Sequence, residues 1–232
     1  MALVKYGGGI VGISGSIAGN THARNRFGNY IRSRTKPVNP NTAAQQSIKA
    51  SMAALTTRWA QTLTAAQRTA WNLYGASVAM KNRLGETVNL TGFNHYIRSN
   101  SWLQHVGGTL VDAAPTIFEL PGQDPTLAVT ASEATQILSV AYDDSLAWDN
   151  EDDGFLIVYQ GQPQNAQRNF FNGPWKELDN VAGATAAPVA SPLAAAAVFA
   201  IAEGQRLWVY ARILLADGRL SEKFRADAFC AA

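Results

Sequence analysis

Six residues near the N-terminus hold the most concentrated binding chemistry of the chain: Arg24, Arg26, Tyr30, Arg32, Arg34 and Lys36. A guanidinium is a planar fork of N–H donors that fits a carboxylate or a phosphate with two parallel bonds. Tyr30, Arg32 and Arg34 are spaced by two, the interval that puts side chains on one face of a strand. A ribbon of this kind binds an anionic surface, either acidic protein or nucleic-acid phosphate. Too few aromatic residues accompany the cations to form a base-stacking platform. A protein surface is therefore the preferred partner, with nucleic acid as the alternative.

Other reactive types occur without the spacing their chemistry needs. Asp149-Asn-Glu151-Asp-Asp153-Gly154 begins like a calcium loop, but its twelfth position is Gln160 instead of a bidentate glutamate, so a solvated turn is expected. His95 and His105 lie ten residues apart with no Cys or carboxylate beside them, which speaks against a metal site. Gly15-Ser-Ile-Ala-Gly19 is followed by Asn20, without the lysine of a phosphate-binding loop or the helix of a dinucleotide fingerprint. No Gly-x-Ser-x-Gly elbow is present, and Cys230 has no histidine near it in sequence. These absences argue against an enzyme, a cofactor and a metal.

The elements that must carry the cations can be read in order. Residues 1–40 form a glycine-rich arm, with Ile10, Val11, Ile13 and Ile17 between the glycines, followed by a basic hairpin. The hairpin arms are predicted as His22–Arg26 and Tyr30–Arg34, around Phe27-Gly28-Asn29, with Gly-Asn as the turn. Pro37 and Pro40 end it.

Residues 41–108 are helical. Thr42-Ala-Ala-Gln45 and Thr64-Ala-Ala-Gln67 are capping boxes. Ile48, Met52, Leu55 and Trp59 make one apolar stripe; Ala70, Trp71 and Tyr74 make a second that ends at Gly75. Burial of Ile48, Met52, Leu55, Trp59 and Trp71 would contribute roughly 10 kcal/mol gross. That is too little for a free-standing hairpin once ordering entropy is set against it. A third helix starts near Thr91 or Gly92, with Phe93, Ile97 and Trp102 inward, and stops before Gly107-Gly108.

Residues 109–115 change composition as a linker does. Residues 116–232 alternate as a sandwich does: Leu138/Val140/Tyr142, Phe155/Ile157/Tyr159, then Val209/Ala211/Ile213/Leu215 with Trp208, Tyr210 and Arg212 on the other face. The predicted class is α+β: arm and basic hairpin, a small helical region, and a C-terminal antiparallel β-sandwich of immunoglobulin or fibronectin-III type. Leu207 stands where fibronectin modules usually carry a tyrosine.

Charge divides along the chain. Residues 1–110 hold twelve Lys/Arg and one acid, Glu86, for a net +11; residues 111–232 hold seven and sixteen, for a net −9. The basic half calls for an anionic partner, and the two halves of neighbouring copies can attract each other. Charged residues are only 16% of the chain and apolar ones 47%, which suits a surface held against neighbours. A single cysteine permits no internal disulfide, and no signal peptide or membrane span is visible.

The order of these pieces resembles small structural proteins of tailed bacteriophages and prophages. The likeness spans roughly residues 7–100. It runs through the glycine-rich start, the Ser/Asn/Arg-rich hairpin, Lys36-Pro-Val-Asn-Pro-Asn-Thr-Ala-Ala-Gln-Gln46 and Trp59-Ala-Gln-Thr-Leu-Thr-Ala-Ala-Gln-Arg-Thr-Ala-Trp-Asn72. It implies a virion component assembled in the host cytoplasm, without enzymatic activity. Its partners would be the major capsid protein or tail and neck proteins, and further copies of itself. The leading role is head decoration or cement; a head–tail junction or tail position, or a DNA-binding accessory role, is the alternative.

Overall fold

Thr42 and Thr64 begin helices as their spacing predicts, because each hydroxyl accepts a backbone N–H that the first turn leaves unpaired. The computed structural model describes residues 2–82 and 84–232. Helix α1 spans Ala43–Gln61, α2 Ala65–Ser77 and α3 Gly92–Val106. The full reciprocal capping box forms only on α2, where the Gln67 side chain also accepts the Thr64 N–H at 2.8 Å. Thr91 caps α3, and Gly107 closes it in the left-handed conformation, at φ 78°.

Thirteen strands complete the chain. They are β1 Ala2–Val4, β2 Gly15–Ile17, β3 Asn20–Asn25, β4 Gly28–Ser33, β5 Ala79–Lys81, β6 Thr87–Asn89, β7 Ala128–Ser132, β8 Ile137–Ala141, β9 Phe155–Gly161, β10 Trp175–Ala182, β11 Leu193–Ala196, β12 Arg206–Leu214 and β13 Phe224–Ala231. The class is α+β. The N-terminal strands make an antiparallel sheet in the order β1-β4-β3-β2, so parts of the expected arm are edge strands around the hairpin.

The C-terminal strands make one seven-stranded sheet, β10-β9-β12-β13-β7-β8-β11. It is antiparallel throughout except where β13 meets β7 in parallel, Cys230 opposite Ala131. Its ends, β10 and β11, come near each other, and the sheet nearly closes on itself. Inside lie Leu138, Val140, Tyr142, Trp148, Leu156, Val158, Val209, Ala211 and Ile213.

The outer side of β9 and β12 is not left to water. Phe155, Ile157, Leu214 and Leu220 pack on Leu103, with Trp102 and Val106 beside them, so α3 lies on the sheet. This is why β9 is buried on both faces, and why the expected Phe155/Ile157/Tyr159 alternation marks its helix-facing side. Trp208 and Tyr210 are covered in the same way by rings. Phe171 stacks on Trp208 at 5.5 Å, and Tyr159 stacks on Tyr210 at 4.7 Å.

The opposite side of α3 holds a second core with Leu55, Leu63, Trp71, Tyr74, Val78 and Tyr96. Gly92 and Gly75 allow α2 and α3 to touch through backbone. A Cβ at Gly92 would lie 2.5 Å from the Trp71 carbonyl carbon, and one at Gly75 2.7 Å from the Leu90 oxygen. Residues 109–115 run across these helices under firm restraint. Asn100 bonds both backbone groups of Val111, Arg58 forks to Asp112 with two 2.7 Å bonds, and Trp71 Nε1 donates to the Asp112 carbonyl at 3.0 Å.

Only the C-terminal part of the α1 stripe is buried as expected. Leu55 is enclosed and Trp59 packs on Phe93 and Tyr96, whereas Ile48 is 66% exposed and Met52 40% exposed. No described residue packs on them closely enough to bury them. The burial energy anticipated for five side chains is therefore delivered mainly by three.

Candidate partner-binding surface

The predicted basic ribbon lies on β3, β4 and the segment after them, but the register splits it. Asn25 pairs with Gly28, so the connection is Arg26-Phe27, two residues earlier than Gly28-Asn29. The Asn25 side chain brings the chain round by accepting the Phe27 N–H at 2.9 Å, and Gly28 takes φ 116° as the first residue of β4. The strand arms are thus Asn20–Asn25 and Gly28–Ser33, shifted from the sequence expectation.

Cross-strand pairing then sets the faces. Tyr30 is opposite Ala23 and Leu3, and Arg32 is opposite Thr21, all on one side. Arg24 pairs with Asn29 and belongs to the other side, with His22 and Ile31. Arg26 is in the turn. Arg34 extends the pairing by donating its N–H to Gly19 at 2.7 Å, and Lys36 follows in extended chain. Arg32 and Arg34, with Thr21 and Ser33, line a shallow depression of ≈ 290 Å³. Of the six singled-out residues, the fold therefore gathers Tyr30, Arg32 and Arg34. It sends Arg24 to the reverse face.

Arg24, Arg26, Arg32, Arg34 and Lys36 are all exposed, and Tyr30 is half-buried. Among the described residues the ion pairs are Lys5–Glu86, Arg58–Asp112, His105–Glu177, Arg206–Asp227 and Arg219–Asp217; none uses these five cations. Lys5–Glu86 joins the sheet to the β5–β6 hairpin. From residue 3 to 54 no described side chain is buried, although the segment forms four strands and half of α1. Both sheet faces are open, and Val11 and Ile17 project into solvent.

Charge of the opposite sign is gathered between β8 and β9. Residues 143–153 include Asp143, Asp144, Asp149, Glu151, Asp152 and Asp153, with no basic residue. Their hydrogen-bond partners are neutral groups. The Ser145 hydroxyl, at 2.6 Å, and then the Ser145 N–H donate to Asp143, which holds that carboxyl below its usual range; the Thr185 N–H donates to Asp152 at 3.0 Å and the Ala216 N–H to Glu151 at 3.0 Å. Asp149 is fully buried, and no donor of the described chain reaches either oxygen; burial, reinforced by Asp144, pushes its pKa up. Gln160, the residue that departs from the calcium-loop pattern, is a core side chain clamping Val198 and Phe199 through its amide.

Two further features escaped local pattern. Ile48 and Met52 of α1 face Trp102, His105 and Tyr159 across a groove of ≈ 840 Å³. Here the signal was an apolar stripe longer than the core that receives it. His95 is buried with neither ring nitrogen bonded, against the edge of Tyr74 at 5.0 Å. Burial, and then the nearby Arg98, lower its pKa to about 4.

Chemically, this surface can clasp anions through guanidinium forks and lay apolar side chains against a neighbour. Among the described residues no serine or cysteine hydrogen-bonds a histidine, and burial raises the pKa of the Cys230 thiol, which bonds only the Ala231 carbonyl. No protein-family model matches the chain, and no curated protein matches it.

Proposed function

We propose that the chain is a non-enzymatic structural component of a tailed-bacteriophage virion, most specifically a head decoration or cement protein that bridges capsid subunits through its basic N-terminal half. One observation carries this reading. Residues 3–54 adopt regular strands and a helix without a single buried described side chain, while holding seven cations and no acid. A segment of that kind loses conformational entropy on ordering and gains little from its own chain, so its stability must come from neighbours. The likeness of residues 7–100 to phage structural proteins points to what those neighbours are.

The seven-stranded sheet supports an immunoglobulin or fibronectin-III type of sandwich. Its order splits into β7-β8-β11 and β10-β9-β12-β13, the grouping in which the first, second and fifth strands face the rest. In this reading the sandwich is the acidic, outward or copy-contacting part.

Mass spectrometry of purified particles tests the role. The protein is expected in many symmetric copies per particle, and its absence from intact particles would refute the reading. A DNA-binding accessory role has its own support in the five unpaired cations around the β3–β4 hairpin. It predicts a gel shift at low salt that weakens steeply as salt rises; no shift at low salt removes it.

A further inference from the structure

We infer that the basic N-terminal sheet of one copy docks on the acidic β8–β9 loop of a second copy. The inference builds on the structural-component reading and names one partner of that same basic surface. Among the described residues, Arg24, Arg26, Arg32, Arg34 and Lys36 form no ion pair, and neither do the six acids of residues 143–153; only Glu151 feels a nearby cation, Arg219, which is itself paired with Asp217. The chain's ion pairs form elsewhere, so its densest basic and densest acidic segments both remain uncompensated.

A heterologous contact joins the two patches once, and a two-fold contact, in which residue i of one copy meets j of the other and j meets i, joins them twice. Guanidinium forks on carboxylates supply the orientation, while the open sheet faces with Leu3, Tyr30 and Ile31 supply apolar cover.

The test compares three forms of the full chain by sedimentation at low salt. These are the parent, an Arg32→Glu/Arg34→Glu/Lys36→Glu variant, and an Asp144→Lys/Asp152→Lys variant. The parent is expected to self-associate, with an association constant at least about tenfold weaker when salt is raised from roughly 0.05 to 0.3 M. The first variant takes the sheet cations from +5 to −1 and the second takes the loop from −6 to −2, so each alone is expected to associate at least about tenfold more weakly than the parent. An equimolar mixture of the two is expected to associate again, because each then offers what the other lacks. That restoration also shows both variants to be folded.

A second measurement needs no substitution. Zero-length carbodiimide cross-linking of mixed isotope-labelled and unlabelled parent protein is expected to join Lys36 or Lys49 of one copy to residues 143–153 of another. A monomeric parent at low salt overturns the inference, as do a variant that associates like the parent and intermolecular cross-links that avoid that loop. Particle mass spectrometry separates the two levels of the argument. A protein present in particles yet monomeric in solution refutes this contact alone; one absent from particles yet associating through these two patches refutes the virion role alone.

Discussion

Replacing His95 by leucine is expected to flatten the pH dependence of stability while leaving stability at neutral pH unchanged or raised. His95 is neutral in the fold because burial first, and Arg98 second, bring its pKa from 6.5 down to about 4. The unfolded chain therefore binds the extra proton between those values. Stability attributable to this group is complete above about pH 6.5 and is lost as pH falls towards about 4. Taking those two pKa values, the loss between about pH 7.5 and about pH 5 is roughly 2 kcal/mol. The assay is urea unfolding of both proteins at the two pH values. Asp149 and Glu151, whose pKa values burial raises, contribute with the opposite sign, but they are common to both proteins and cancel in the difference. At neutral pH, leucine removes two buried ring nitrogens that lack partners and keeps a similar volume, so no penalty is expected. Parallel loss of stability by parent and variant on acidification would refute the reasoning.

Two further outcomes follow from packing. Gly92→Ala is expected to lower stability by about 3 kcal/mol or more, because its Cβ would press on the Trp71 and Asn72 backbone, and denaturant unfolding reads it directly; a cost under about 1 kcal/mol would contradict the close approach of α2 and α3. Limited proteolysis of isolated protein is expected to cut first within residues 3–54, before any cut in residues 128–231, since that leading segment opens without exposing core; an uncut N-terminal segment would show that it is held by more than its own chain contacts in this fold.

The helices were legible because their signals are local. Thr42, Thr64 and Thr91 each stand before the turn they cap, and Trp71 and Tyr74 sit at helical spacing. The hairpin was legible as an element and misplaced in register. Glycine at position 28 suggests a turn there, but Asn25 turns the chain two residues earlier and thereby moves Arg24 to the reverse face. The apolar period of α1 could not reveal that Ile48 and Met52 have nothing to cover them, since periodicity gives a face and not its partner. Residues 109–115 look like a linker by composition, and the restraint on Asp112 comes from Arg58, which is 54 positions away. Of the six ribbon residues, spacing correctly grouped Tyr30, Arg32 and Arg34. That their charges form no ion pair among the described residues, like the acids between β8 and β9, is visible only once the ion pairs are placed.

The parallel pairing of β13 with β7 has a consequence for how the chain is made. β13 fills the place between β12 and β7, so on a ribosome the strand that joins the two halves of the seven-stranded sheet emerges roughly ninety residues after β7. At typical elongation rates that interval lasts roughly 5–20 s, with one edge of β7 open throughout. The three helices are by then already synthesised and can form their local hydrogen bonds, but Phe155 and Leu214 can settle on α3 only as the later strands arrive. The nascent protein therefore starts as a helical unit with its sheet unfinished, and acquires its largest core last.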